Sequence, residues 1–186
     1  MKKIPCLFQR DFTDRRKPVL LDIVTPGCEW VLAGEGVATR KWDGTACMIQ
    51  NGVLFARYDA KKGKIPPPGA IPCDPEPDPI TGHWPHWTPT EGPQYQWHRE
   101  AFTGPLMDGT YELVGPKVNG NPEHLERHIL VRHGMDGVLI YGRGFPDLKA
   151  WLETAPFEGI VFHRSNGDMA KIRRDDFGFS WPVEIP

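Results

Sequence analysis

The sequence predicts an α+β fold built mainly from antiparallel sheets, with helices at the side. Three observations carry this expectation. Glycine and proline number 20 each in 186 residues, which favours short elements joined by many turns over long helices. Two β-prone runs, residues 46–50 and 53–58, meet across Asn51-Gly52, the strongest short-range hairpin signal. Two more, 159–164 and 169–173, meet across Ser165-Asn166-Gly167-Asp168. A composition of 39% hydrophobic and 25% charged residues excludes a disordered or membrane-embedded chain. The formal net charge of -2 excludes a global positive field, though a local basic face remains compatible with it.

Taken in order, the first hairpin sets Gln50 opposite Val53 and Ala46 opposite Arg57, which puts Arg57 at the hairpin end nearest Gly44 and Lys41. Residues 61–93 are proline-rich, with Pro66-Pro67-Pro68, and also carry His83, Trp84, His86 and Trp87. A long loop rich in tryptophan is expected to pack on the body instead of linking domains, so residues 1–186 are expected to form one domain. Tyr111-Glu112-Leu113-Val114 reads as a strand. Asn121 as N-cap, Pro122 in the first turn and Glu123 beside it then predict a helix running to about His133, stopped by Gly134. A second helix is expected over 146–154, with Leu148, Trp151 and Leu152 on its apolar stripe. In the second hairpin, Arg164 opposite Met169 sets Phe162 against Lys171 and Ile160 against Arg173. Glu158, Ile160, Phe162, Lys171 and Arg173 then share one face. A carboxylate and two cations on one sheet face suit a phosphate and metal site.

Cys6, Cys28, Cys47 and Cys73 are widely spread, which predicts reduced thiols and no cysteine-rich metal site. The N-terminus lacks a signal-peptide core and no window approaches a membrane span, so a cytoplasmic protein without a membrane partner is expected. His124 and His128 stand at i, i+4 on the first predicted helix, but a metal pair there lacks a third ligand. Trp84, Trp87 and Trp97 fit either stacking on single-stranded bases or packing of the proline-rich loop.

Lys41-Trp42-Asp43-Gly44 resembles motif I of the covalent nucleotidyltransferases, the DNA ligases, RNA ligases and mRNA capping enzymes. Tyr111-Glu112-Leu113 is similar to their motif III, Glu158-Gly159-Ile160-Val161 to motif IV, and Lys171-Ile172-Arg173 to motif V. The runs beginning at Lys62, Asp78 and Gly115 and the tail from Lys171 resemble, more narrowly, the small ATP-dependent 5′-3′ RNA ligases with vertebrate relatives. Two positions depart from the pattern: Arg40 stands where an acid is common, and Arg173 replaces a lysine, keeping the charge with a planar fork.

The resemblance implies a nucleotidyltransferase (ligase adenylation) domain with sheets flanking a nucleotide cleft and no oligonucleotide-binding domain. It implies that Lys41 attacks ATP to form a lysyl-AMP, that AMP passes to a 5′-phosphate on RNA, and that a 3′-hydroxyl then displaces it. Lys41, Asp43 and Lys171 are the catalytic candidates. Arg40, Trp42, Gly44, Arg57, Glu112, Ile160, Val161, Lys171 and Arg173 are the nucleotide-binding ones. Glu158 and Glu112 are candidate ligands for Mg²⁺ or Mn²⁺, and Glu112 alternatively meets the ribose. Lys62, Lys64, Lys117 and Asn119 are candidate RNA or phosphate contacts. An ammonium must lose its proton before it attacks, and Arg40, Lys171 and Arg173 are cations that would favour that loss. A DNA ligase or other 5′-end adenylyltransferase, and a non-catalytic end-binding protein, are the two rival readings of the same residues.

Overall fold

A computed structural model of the chain describes residues 2–14, 16, 18–79 and 81–183. In chain order the elements are β1 (Phe8–Asp11), β2 (Val19–Val24), α1 (Glu29–Leu32), β3 (Val37–Lys41), β4 (Thr45–Gln50), β5 (Val53–Ala60), β6 (Ile71–Pro72) and β7 (Trp84–Pro89). There follow α2 (Gln96–Ala101), β8 (Gly109–Val114), β9 (Ile129–Arg132), α3 (Phe145–Thr154), β10 (Gly159–His163) and β11 (Met169–Arg173). The architecture is mixed, mostly antiparallel sheet with few helices. The chain divides into two compact units, Met1–Lys3 with Asp43–His133, and Ile4–Trp42 with Gly134–Pro186. No helix among the described residues is long and apolar enough to cross a membrane.

The first unit is a six-stranded antiparallel sheet in the order β6-β7-β5-β4-β8-β9. Its central hairpin turns on Asn51 and Gly52, both at positive φ, and runs from Gln50↔Val53 to Cys47↔Ala56 in the predicted register. One sheet face closes over Cys47, Ile49, Leu54, Tyr111 and Leu113, with Ala101 of α2 and Val118 completing the cluster.

Two expectations are corrected here. The proline-rich segment is not wholly loop, because residues 84–89 form β7 and pair with β5 from Phe55↔Pro89 to Ala60↔Trp84. The short β6 meets only His86 and Trp87 of β7, so β7 is an edge strand for most of its length, where proline is tolerated. Trp87 is buried within this sheet, and the Trp97 ring stacks on His128, so both tryptophans pack and neither is a free stacking platform.

The helix expected from Asn121 to His133 does not form. Asn121 and His124 take positive φ, and the Asn121 side chain both donates to the Leu125 carbonyl and accepts from the Leu125 N–H. Asn121 therefore closes a turn instead of capping a helix, the alternative such residues offer the backbone. Residues 129–132 then pair with β8 from Val114↔Ile129 to Tyr111↔Arg132. The backbone groups along β8 require partners, and the β-branched Ile129 and Val131 suit a strand. The side pair of helices thus loses one member, and α3 alone remains of it.

The second unit holds a three-stranded antiparallel sheet, β11-β10-β3, and the β1-β2 hairpin. Residues 5–7 run parallel to β11, through Lys171 N–H to the Pro5 carbonyl and Leu7 N–H to the Lys171 carbonyl. Asp136 and Val138 bond the outer edge of β3. Both sheet edges are therefore covered. Ala38, Ile160, Phe162, Ala170 and Ile172 point into a core with Leu7, Phe8, Trp30 and the buried Leu148 and Leu152 of α3.

The β10-β11 register differs from expectation by one residue. His163 lies opposite Met169, Val161 opposite Lys171 and Gly159 opposite Arg173. Gly167 takes φ 93 and Arg164 N–H bonds the Asp168 carbonyl, so the loop is Ser165-Asn166-Gly167, closed by a left-handed glycine. A one-residue slip exchanges the faces of every side chain. Ile160 and Phe162 therefore lie in the core, and Lys171 and Arg173 share the opposite face with Val161.

Candidate active site

Lys41 is the last residue of β3 and lies opposite Gly159, while Thr39 lies opposite Val161. Combined with the β10-β11 register, this puts Thr39, Lys41, Val161, Lys171 and Arg173 on one face of the sheet, and Arg40 and Ile160 on the other. Glu158 stands one residue before β10. Its carboxylate Oε2 pairs directly with Lys41 Nζ, and the backbone carbonyl of Glu158 accepts from Arg174 N–H. Gly159 is required by this packing: a Cβ there would collide with the Ile172 carbonyl oxygen. The direct partner of Glu158 is thus Lys41, and Glu158 acts on Lys171 through its charge.

The Lys171 ammonium is held below the ordinary lysine range, first by burial, then by the charges of Lys41 and Arg173, against the opposing pull of Glu158 and Asp176. Asp176, 2% exposed at its side chain, organises this end of the sheet. It accepts from Arg173 N–H at 2.9 Å and from Arg173 Nη2 at 3.2 Å, and it pairs with Arg10 of β1. Arg173 also meets Asp175 at 3.2 Å. Neither Asp176 nor Arg10 is singled out by sequence reasoning. The acid pair after Lys171-Ile172-Arg173-Arg174 is the only local signal, and nothing near Arg10 points to it.

Two nucleotide-binding candidates of this unit, Arg40 and Ile160, lie on the sheet face opposite Lys41. Arg40 does not stand beside the Lys41 ammonium, because neighbouring strand residues point to opposite faces. Its guanidinium is stacked 3.6 Å from the Trp42 ring centroid and 4.6 Å from that of Phe157. The fully buried Ile160 faces the core, which leaves Val161 as the apolar residue of the site face. Trp42 is anchored through Nε1–H to Asp136 at 2.7 Å.

In the six-stranded unit, Asp43 and Gly44 open the turn into β4. A Cβ at Gly44 would strike the Leu113 carbonyl oxygen, so only glycine allows the chain this close to β8. Asn119 Nδ2 donates to Asp43 Oδ1 at 2.8 Å and to the Gly44 carbonyl at 2.9 Å, and Asp43 N–H donates to Glu123 Oε1 at 3.0 Å. Glu112, on β8, is paired with His133 Nε2 at 2.8 Å, and the other ring nitrogen of His133 meets Thr110 Oγ1 at 3.0 Å. His133 enters the sequence reading only as a helix-end histidine, so its role beside Glu112 is not legible there.

The remaining candidates, Arg57, Lys62, Lys64 and Lys117, also belong to the six-stranded unit. Arg57 pairs across to Trp87 and lines a cavity of about 790 Å³ together with Lys2, Lys3, Asp59, Asp74 and Asp78. That mixed lining, with Lys2–Asp74 and Lys3–Asp78 pairs inside it, does not favour phosphate. Lys62 and Lys64 are exposed on the 61–64 turn, and Lys117 is exposed on the loop after β8.

Among the described residues, no three His, Cys, Asp or Glu side chains converge into a metal cage. The carboxylate nearest Lys41 is that of Glu158, a hard oxygen donor of the type Mg²⁺ takes, here paired with Lys41 and set among cations. Glu158 is the residue that would hold Mg²⁺. Glu112, occupied by His133, is the weaker donor.

Lys41, paired to Glu158, therefore shares a sheet face with the half-buried Lys171. Residues 102–185 match the RNA ligase 1 family model, a stretch that holds Glu112, Glu158, Lys171 and Arg173 and lies downstream of Lys41. The chain is similar to RNA ligase 1 of Rattus norvegicus, at 28% identity over 79% of this chain and 69% of that protein. It is similar to RNA ligase 1 of Pongo abelii, at 30% identity over 59% of this chain, and of Danio rerio, at 32% over 55%. The chain spans 45% of the length of the Pongo abelii protein and 43% of that of Danio rerio. These likenesses support an RNA ligase family.

Proposed function

We propose that this chain is a cytoplasmic, ATP-dependent RNA ligase that joins 5′-phosphate and 3′-hydroxyl RNA ends through a covalent lysyl-AMP on a nucleotidyltransferase fold. The observation that carries this reading is that Lys41 and Lys171, from distant parts of the sequence, share one face of the β11-β10-β3 sheet, with Glu158 paired to Lys41 at its edge. The likeness to RNA ligase 1 supports RNA as the substrate.

In the first step, deprotonated Lys41 Nζ attacks the α-phosphorus of ATP. The N–P bond forms as the P–O bond to pyrophosphate breaks. Glu158 Oε2 holds Nζ in place through a charge-assisted hydrogen bond, and Lys171 supplies fixed positive charge where the α-phosphate oxygens gain charge. Arg173, held by Asp175 and Asp176, adds positive charge at the same edge. Val161 offers an apolar surface to the base. Mg²⁺, or Mn²⁺ in its place, would be held by Glu158 and would supply neutralisation of the phosphate charge. AMP then passes to the RNA 5′-phosphate, and the 3′-hydroxyl attacks that phosphate and releases AMP.

The test is transfer of label from ATP carrying labelled α-phosphate, with Mg²⁺, to denatured protein. The expected result is a labelled wild-type chain and an unlabelled Lys41→Ala variant. An unlabelled wild type, or an equally labelled Lys41→Ala, would overturn the reading. Sealing of broken RNA in preference to nicked DNA is the expected second result.

A further inference from the structure

Asn119 is a candidate substrate contact by sequence, yet its carboxamide is already engaged within its own unit. Both hydrogens of Nδ2 have acceptors, Asp43 Oδ1 at 2.8 Å and the Gly44 carbonyl at 2.9 Å. Glu123 reaches the same turn from the other end of the loop, accepting from Asp43 N–H at 3.0 Å. Three hydrogen bonds therefore converge on the two residues that follow Lys41-Trp42 in the chain.

The loop that brings Asn119 there is itself held. Asn119 stands at φ 48, a left-handed conformation that asparagine tolerates better than most residues. Val118 is buried in the core under the sheet. Lys117 N–H donates to His128 Nε2 at 3.2 Å, so His128 carries its proton on Nδ1, which donates to Glu100 Oε1 at 2.9 Å. The buried His128 ring is sandwiched against Trp97, 4.8 Å between centroids and 19° from parallel. Gly115 takes φ 146 and passes so near His128 that a Cβ would lie 2.7 Å from its Cα. A loop meant to adapt to a substrate would not be tied down at both ends in this way.

We propose that Asn119 is a positioning residue for the nucleophile: with Glu123 it locks the Asp43–Gly44 turn and so restricts the chain that carries Lys41. In this arrangement the Asp43 carboxylate is an acceptor for Asn119, not a group that touches substrate. The inference rests on the lysyl-AMP reading above. Restricting a reacting atom acts on the rate of attack more than on substrate affinity.

The experiment measures single-turnover labelling of Lys41 over a range of ATP concentrations, for wild type, Asn119→Ala, Asn119→Asp and the reciprocal pair Asp43→Asn with Asn119→Asp. Circular dichroism and thermal melting establish that each variant is folded. A parallel assay seals RNA whose 5′ end is already adenylylated, a step that does not use the Lys41 nucleophile. Asn119→Ala is expected to label about tenfold more slowly at saturating ATP, the scale of two lost hydrogen bonds, with the half-saturating ATP concentration unchanged and sealing of adenylylated RNA retained. Asn119→Asp, which sets carboxylate against carboxylate, is expected to be slower still, and the reciprocal pair to regain the part of that loss that belongs to the 43–119 contact, since the Gly44 carbonyl still lacks its donor.

A raised half-saturating ATP concentration in Asn119→Ala would make Asn119 a nucleotide contact and overturn the proposal. Loss of adenylylated-RNA sealing would make it an RNA contact, with the same consequence. Equal labelling of wild type and Asn119→Ala, or no recovery in the reciprocal pair, also overturns it while leaving the lysyl-AMP reading intact. An unlabelled wild type fails the underlying reading, and this inference with it.

Discussion

On the three-stranded sheet, Lys41, Lys171, Arg173 and Arg10 stand with Glu158, Asp175 and Asp176, an excess of one positive charge at a partly buried face. On the six-stranded sheet and its loops, Asp43 is matched by an asparagine amide, and Glu112 and Glu100 by histidines. In the first arrangement burial and neighbouring cations disfavour the Lys171 ammonium, whereas Asp176 and Asp175 hold the Arg173 guanidinium charged. The second satisfies its carboxylates internally, with neutral donors or histidine. The contrast is one of charge: the small sheet gathers cations around partly buried carboxylates, whereas the carboxylates named on the large sheet meet an amide or an imidazole.

The sharpest way to break the comparison is to remove charge from the small sheet. Glu158→Ala and Lys171→Met are each expected to slow labelling of Lys41 by about 10²–10³-fold, the scale of one electrostatic contact to the reacting group. Lys171→Met is also expected to raise the melting temperature at neutral pH, because burial and its cationic neighbours disfavour its ammonium and methionine removes that cost. A labelling rate equal to wild type in a folded variant would remove that residue from the site. Next in size is Asp176→Ala, which strips both Arg10 and Arg173 of a nearly buried partner. A loss of about 3 kcal/mol in denaturant unfolding is expected, and a loss within experimental error would mean that the arginines are held otherwise.

On the large sheet the effects are smaller and concern stability. Both ring nitrogens of His98 are buried without a hydrogen-bond partner among the described residues, and burial, then Arg99, lowers its pKa to about 4. The unfolded chain therefore binds a proton there below about pH 6.5 that the folded chain does not bind until about pH 4. Stability from this group is fully present above pH 6.5 and falls as pH drops towards 4. His98→Leu is expected to flatten that part of the stability curve, and an unchanged slope would contradict the assignment. Smallest of all, Lys62→Ala with Lys64→Ala on the exposed 61–64 turn is expected to change stability by no more than about 0.5 kcal/mol. Its expected trace is a weaker salt dependence of RNA binding, and an unaltered salt slope would show that neither lysine meets phosphate.

Much of the local structure was legible in advance. Asn51-Gly52 specified its hairpin and register because both residues accept the positive φ that the turn requires. Helix α3 was legible from the apolar spacing of Leu148 and Leu152. The β10-β11 hairpin was legible in existence but not in register, since one left-handed residue, Gly167, decided whether the loop took three residues or four. The stretch from Asn121 carried a sound helix-start signal, yet β8 offered its backbone groups a partner, and pairing across the sheet outweighed the local cap. The same limit applies to the site. Arg40 reads as a neighbour of Lys41, but strand alternation turns it to the opposite face, onto Trp42 and Phe157.

By itself the sequence determined which reactive groups this chain has and their order: a lysine beside a turn, a strand glutamate, then a glutamate and two cations bracketing a hairpin. Covalent order and local turn chemistry suffice for that. Only the tertiary structure decided which of those groups share a face and which are already occupied. It joins Lys41 to Glu158, sends Ile160 inward, ties Asn119 to Asp43 and supplies His133 and Asp176 as partners. These outcomes depend on side-chain parity and on hydrogen bonds between residues far apart in the chain, and neither is written in local spacing.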